Sequence, residues 1–307
     1  MRTDVSFESV GDRIVGHLYG PEGMASGERS PALVVAGPLA TVKEQAQGVF
    51  AEALAAEGFV TLAFDYRRYG DSGGEPRQYE DPASKTEDVQ NAISFLSSHA
   101  SVDKERIGGL GICASSTYMA SALRSDRRVR AFGTVSAHFS LREFFLSHPF
   151  ATEQQIAQMY TASNAARQRY FETGEADPDD MIMPDMPDEP PAEAGQLARD
   201  VYDYYFSRVA KEWPNYSNRM VPFSFEQLFR SHAIDYAKDI VAPYLGVVGS
   251  EAVTRSLTER FVEAKTQGAK GVKVIDGAYH VQTYDRAEYV EKAVAALSGF
   301  YREHLAA

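Results

Sequence analysis

RIGGLGICASSTYMASAL, residues 106–123, joins two kinds of local pattern at one cysteine. Residues 106–112 form a short, partly β-branched, glycine-containing run, as in a strand covered on both faces, while residues 114–123 have the composition of a helix. Cys113 sits at the joint. The G-x-C-x-S spacing of residues 111–115 is that of a nucleophile elbow, a sharp strand-to-helix turn. Such a turn lifts one side chain above the sheet and aims the following backbone N–H groups at the same space. Gly111 leaves room for it, and Ser115 stands where a second glycine is usual, bringing a Cβ with it. A lone buried cysteine is more often a small hydrophobe than a catalyst, so the reading needs support from the rest of the chain. Ser115 and Ser116 fall in the first helical turn and read as helix-start residues or pocket-edge hydroxyls, and Ser136 ends another strand without an elbow pattern.

On either side of this stretch, apolar runs alternate with helical periods. Residues 3–19 read as a hairpin or edge strands, 32–36 as a buried strand, 43–58 as an amphipathic helix and 59–66 as the next strand. A polar, glycine-rich loop (65–76) and a helix (84–98) precede the elbow. Further strands are expected at 128–136, 244–250 and 272–279, with helices at 256–268 and 285–305. This alternation predicts an α/β fold, a mostly parallel sheet with helices on both faces. Its core is expected over residues 1–138 and 243–307. Residues 139–242 are too long for a crossover and read as a mainly helical cap inserted over the carboxyl edge of the sheet. The cap holds Trp213 and many Tyr and Phe residues. Its EADPDDMIMPDMPDEPP segment (175–191) is expected to lack regular structure because its acids and prolines oppose it.

Cys113 as a nucleophile needs a base, and the base needs an orienting acceptor. His280 is the strongest base candidate, because DGAYHVQTYD puts it in a loop after the last core strand, at the same sheet edge as the elbow. His17, His99 and His304 are worse placed, and His138, His148 and His232 could reach the mouth of the site but read as solvent-facing or structural. Glu251 follows the strand ending at Gly249 and is the expected acid, a better choice than Asp276, Asp235 or Asp239. Its alternative role is to cap the helix beginning near Thr254. The expected oxyanion donors are the backbone N–H groups of Ala114, after the elbow, and Leu39, in the loop AGPLATVKEQ. Pro38 has no donor and Gly37 lies too near its strand.

In order along the chain, GPLATVKEQ, FDYRRYGDSGGEPR, GLGICAS, GSEA and GAYHVQTYD resemble the α/β-hydrolase superfamily. The resemblance is strongest to dienelactone-hydrolase-like and X-Pro-dipeptidyl-peptidase-like bacterial hydrolases with cysteine at the elbow. It covers about residues 25–138 and 240–305. It implies the fold, with Cys113 as nucleophile, His280 as base, Glu251 at the acid position, and Leu39 and Ala114 at the oxyanion positions. Two departures stand out: glutamate replaces the commoner aspartate, and Ser115-Ser116 replace glycines.

The expected activity is hydrolysis of an activated ester, lactone or thioester, with His280 keeping Cys113 poised as a thiolate that becomes a thioacyl intermediate. Acyl transfer through the same intermediate and noncatalytic ligand binding on the same fold are the alternatives. The aromatic cap favours a small or medium acyl substrate. No cofactor is expected, and no metal, since the histidines show neither HExxH nor compact zinc-ligand spacing. A net charge of −12 argues against nucleic acid. No apolar run is long enough to cross a membrane, and the first residues lack the pattern of a secretion signal. With one cysteine there is no intrachain disulfide, which fits a cytoplasmic location. A homodimer through a sheet edge or the cap is compatible with this composition.

Overall fold

The computed structural model describes residues 1–25, 27–147, 151–176, 179–180, 195–209 and 212–306. β1 (Arg2–Ser9) and β2 (Asp12–Tyr19) pair antiparallel through a turn in which Val10 and Gly11 both have positive φ, 52° and 85°. That pair of angles matches the right-handed twist of the two strands. The chain then alternates through β3 (Ser30–Ala36), α1 (Ala46–Ala56), β4 (Val60–Phe64), α2 (Pro82–Ser98), β5 (Val102–Ile112), α3 (Ser115–Leu123) and β6 (Val129–Val135). Asp81 starts α2 by accepting the Ala83 N–H, and Pro82 occupies the first turn, where its missing N–H is not needed.

After β6 come α4 (Leu141–Ser147), α5 (Glu153–Thr173), β7 (Asp179–Asp180), α6 (Gln196–Tyr202), a π-helical turn at Asp203–Ser207, β8 (Arg219–Met220) and α7 (Phe225–Leu228). The acidic, proline-rich segment is therefore not wholly irregular: Asp179 and Asp180 pair antiparallel with Met220 and Arg219. His148 and most of that segment lie outside the described residues. The alternation resumes with β9 (Tyr244–Gly249), α8 (Arg255–Ala264), β10 (Lys270–Ile275) and α9 (Ala287–His304).

Among the described residues, eight strands form one sheet in the order β1-β2-β4-β3-β5-β6-β9-β10, parallel from β4 to β10. β3, β4 and β6 are apolar and buried almost throughout, as strands covered on both faces must be. α2, α3 and α8 pack on one face and α1 and α9 on the other. This is the α/β-hydrolase fold, with the intervening helices set between β6 and β9. From β3 the chain moves outward to β4 and then crosses back to β5 on the other side. The loops leaving β3 and β5 therefore diverge at adjacent strand ends, where open α/β sheets form a crevice.

Candidate active site

Cys113 closes β5 with φ of 55°, a left-handed conformation that a non-glycine residue adopts only when its surroundings impose it. Its N–H donates to Val135 O at 3.0 Å, and its carbonyl accepts the N–H groups of His138 (3.0 Å) and Ser116 (3.1 Å). Gly111 is required beneath the turn, because a Cβ there would lie 2.7 Å from Ser116 Cα and 2.8 Å from Ser116 N. The two serines do not edge a pocket. Both are fully buried: Ser116 Oγ donates to Gly111 O at 3.0 Å, while Ser115 Oγ bonds Gly37 O and lies 2.9 Å from the Tyr66 hydroxyl. They fasten the elbow to β5 and β3.

The main-chain N–H groups of Ala114 and Leu39 both lie close to the Cys113 sulfur, where they favour its ionised form. Ala114 is carried there by the elbow and Leu39 by the loop after β3. That loop is anchored from β4: Asp65 Oδ1 accepts the Lys43 N–H at 2.6 Å, and Asp65 Oδ2 lies 3.0 Å from Lys43 Nζ. Lys43 thus belongs to the scaffold of the loop, in a buried ion pair ahead of α1, which starts only at Ala46.

His280 has to return from the sheet edge, since β9 and β6 stand between β10 and β5. Gly249 permits the crossing, because a Cβ at that position would lie 2.0 Å from Ala278 O. The Glu251 N–H donates to the same carbonyl at 3.1 Å, and Ser136 Oγ meets Thr283 Oγ1 at 2.9 Å. These ties bring the imidazole, only 4% exposed, beside the elbow.

The acid expected to orient it is not there. The Glu251 side chain is exposed and accepts from Ser250 Oγ at 3.0 Å, so Glu251 positions the His280 loop through its backbone alone. Asp276 and Asp235 are exposed, and Asp239 pairs with Arg124. Thr254, fully buried just before α8, takes the place of a carboxylate: its Oγ1 lies 2.9 Å from His280 Nδ1. With the Nδ1 proton donated to Thr254, Nε2 is the acceptor and receives the Tyr284 hydroxyl at 2.8 Å. The same phenol lies beside the Cys113 sulfur and Tyr205, a residue of the π-helical turn. A hydroxyl therefore stands between thiol and imidazole.

His138, expected to serve solvent or structure, instead joins them. Ligand atoms of Cys113, His138 and His280 all lie within 4.8 Å of one another. Its ring packs on Phe144, with centroids 3.9 Å apart, yet neither ring nitrogen has a hydrogen-bond partner among the described residues. An unsatisfied buried polar group costs about 1–3 kcal/mol, which makes this imidazole conspicuous. Its sequence signal was its place after β6, the strand next to β5, at the same carboxyl edge.

Burial dominates the electrostatics. It pushes the Cys113 thiol up to about 11, against the opposing effect of the neighbouring Tyr284 hydroxyl and the Ala114 and Leu39 N–H groups, and pushes His280 down to about 3. The His138 imidazole also lies well below its usual value, through burial and then His280. Both charged forms are disfavoured, so the pair rests as thiol and neutral imidazole. The expectation of a standing thiolate is therefore not met in this closed arrangement.

A model of the X-Pro dipeptidyl-peptidase (S15) family matches residues 10–219, and the chain belongs to that family. An uncharacterized Pseudomonas aeruginosa protein, PA2218, is 32% identical over 302 residues, 96% of this chain and 78% of that one. Its crystal structure superposes with a TM-score of 0.86 at 29% identity, covering 99% of this chain and 94% of that one. A thiohydrolase of Aspergillus aculeatus, aneE, is 39% identical over 129 residues, 42% of this chain and 39% of its own. The α/β hydrolase GrgF from Penicillium shares the fold at 20% identity, with a TM-score of 0.76 and full coverage of both chains.

Proposed function

For this member of the S15 family we propose acyl hydrolysis through Cys113, on an activated ester, lactone or thioester of small or medium size. The observation that carries the reading is the convergence of the Leu39 and Ala114 amides on a sulfur held at positive φ. A carbonyl oxygen entering between those amides accepts their hydrogen bonds as it gains negative charge. Losing one such donor costs roughly 2.7–4 kcal/mol of barrier in comparable sites.

The resting protonation states set the order of events. His280 Nε2 exchanges the Tyr284 hydroxyl for the thiol proton as sulfur attacks, so the thiolate forms during the step. Thr254 keeps Nδ1 oriented but supplies no negative charge to the imidazolium, which favours rapid return of the proton to the leaving group. The leaving alcohol or thiol departs protonated and the acyl group stays on sulfur. Neutral His280 then accepts a proton from water as that water attacks the thioacyl carbonyl, and returns it to Cys113 as the acid is released. Phe144, Tyr204 and Tyr205, from the helices between β6 and β9, lie over the site and shift for substrate to enter. The aneE match is to a thiohydrolase, which agrees with a thioester among the substrates.

Intact-protein mass spectrometry after exposure to a panel of acyl thioesters and activated esters tests the reading. The native protein should gain one acyl mass and Cys113→Ala none, with free acid as product. Turnover that persists in Cys113→Ala, or product formed without any acyl-protein, would overturn it. Added alcohols or amines appearing in the product would redirect the reading to acyl transfer.

A further inference from the structure

We propose that Cys113, His138 and His280 form a binding site for a zinc-class divalent cation, which blocks the nucleophile reversibly. No spacing in the sequence displays this set, because the three residues leave three different strands, β5, β6 and β10. The fold brings one sulfur and two imidazole nitrogens within 4.8 Å of one another, all on buried side chains. One thiolate and two imidazoles suit a borderline-soft ion and leave a fourth position open.

The second, independent observation is His138. It is 4% exposed, both ring nitrogens lack a partner among the described residues, and its neighbours at the site are the sulfur and His280. The catalytic cycle proposed above gives it no proton to carry. Ligand atoms about 3.3–3.6 Å apart are needed around a tetrahedral zinc, so no pair of these side chains has to close by more than about 1.5 Å. His138 is held by ring packing on Phe144 and by no hydrogen bond from its ring, which leaves it free to make that movement. Tyr284 is the competitor: its hydroxyl occupies His280 Nε2 at 2.8 Å and has to release it. On binding, the Cys113 S–H proton goes to solvent, a metal–sulfur bond forms, and no oxidation state changes. The binding stands on geometry alone, whereas inhibition rests on the acyl-hydrolase reading.

Chelator-treated full-length protein titrated with Co2+ provides the test, through the thiolate-to-metal charge-transfer and visible d–d bands. One equivalent should bind, and Zn2+ should displace it. Cys113→Ser should lose the charge-transfer band, His138→Gln should weaken binding at least tenfold, and the surface variant His232→Gln should match the native protein. Tyr284→Phe, which removes the competing hydroxyl, should bind several-fold more tightly. Absence of a saturable charge-transfer band in the native protein, or native affinity in His138→Gln, would overturn the proposal. If His138→Gln does not fold, unchanged or weaker binding in Tyr284→Phe does the same. Acyl trapping on metal-free protein separates the two ideas: an acyl adduct without metal binding removes only the cation site, and metal binding without an adduct removes only the hydrolase reading.

Discussion

Two polar clusters in this molecule are buried to the same degree and are built on opposite terms. Where the loop after β4 meets α2, Arg67 faces Asp88, and both are buried as formal charges. Arg67 Nε and Nη2 reach Asp88 Oδ1 at 2.8 and 2.7 Å, and the Arg67 N–H donates to Oδ2 at 3.0 Å. Ser9 Oγ donates to Oδ1 at 2.6 Å and accepts from Arg67 Nη2 and Asn91 Nδ2. At the carboxyl edge of the sheet, Cys113, His138 and His280 are neutral, their side-chain partners are hydroxyls, and His138 has none among the described residues. A buried charge persists only where donors and acceptors saturate it. The first cluster holds β1, the β4 loop and α2 together, while the second keeps hydrogen-bonding capacity that a reacting molecule can use.

Removing one partner from each cluster should separate these roles. Asp88→Ala leaves the buried Arg67 guanidinium with only the exposed Glu87 carboxylate, 3.8 Å away, as a counter-charge, and should cost about 3–5 kcal/mol of unfolding free energy in urea titration. A loss below about 1 kcal/mol would place the two clusters on the same footing.

Acid should act on the second cluster. His280, depressed to about 3, and His138, well below its usual 6.5, stay neutral in the folded chain while their unfolded counterparts protonate. The unfolded state therefore binds more protons below about pH 6.5, and stability falls as pH drops from there toward about 3. The slope approaches about 1.4 kcal/mol per pH unit for each imidazole. Urea titrations between about pH 7 and pH 5 measure it, and His138→Gln should remove one share of the slope. Equal slopes in the two proteins would mean that His138 titrates normally.

The smallest effects separate Thr254 from Glu251. Thr254→Val keeps the shape but removes the acceptor for His280 Nδ1, and should lower kcat about tenfold, roughly 1.4 kcal/mol of barrier. Glu251→Gln should leave kcat within about twofold, since its carboxylate faces solvent. The reverse order would return the acid role to Glu251.

Much of this architecture was legible before any fold was known. ALVVA, FVTLAF and YLGVVG announce strands covered on both faces, and each became one within a few residues of the expected ends. The G-x-C-x-S pattern located a turn with positive φ at Cys113, and His280 was traceable as the loop histidine after the last strand. Glu251 misled because its position after β9 fixes its Cα but not the direction of its side chain. Thr254, read only as the start of a helix, turns its hydroxyl inward, and Tyr284, four residues beyond His280, returns on the short helical turn Val281–Tyr284 to face it.

Periodicity, turn chemistry and the order of polar residues at strand ends are local properties, so the chain alone determined the α/β sheet, the elbow and the edge of the sheet to which Cys113 and His280 both belong. Which groups touch is a matter of ångströms set by packing across strands that are distant in sequence. Only the tertiary structure decided that Thr254 orients His280, that Tyr284 stands between base and thiol, and that His138 lies beside both. Burial, which no local pattern fixes, left the thiol and the imidazoles uncharged.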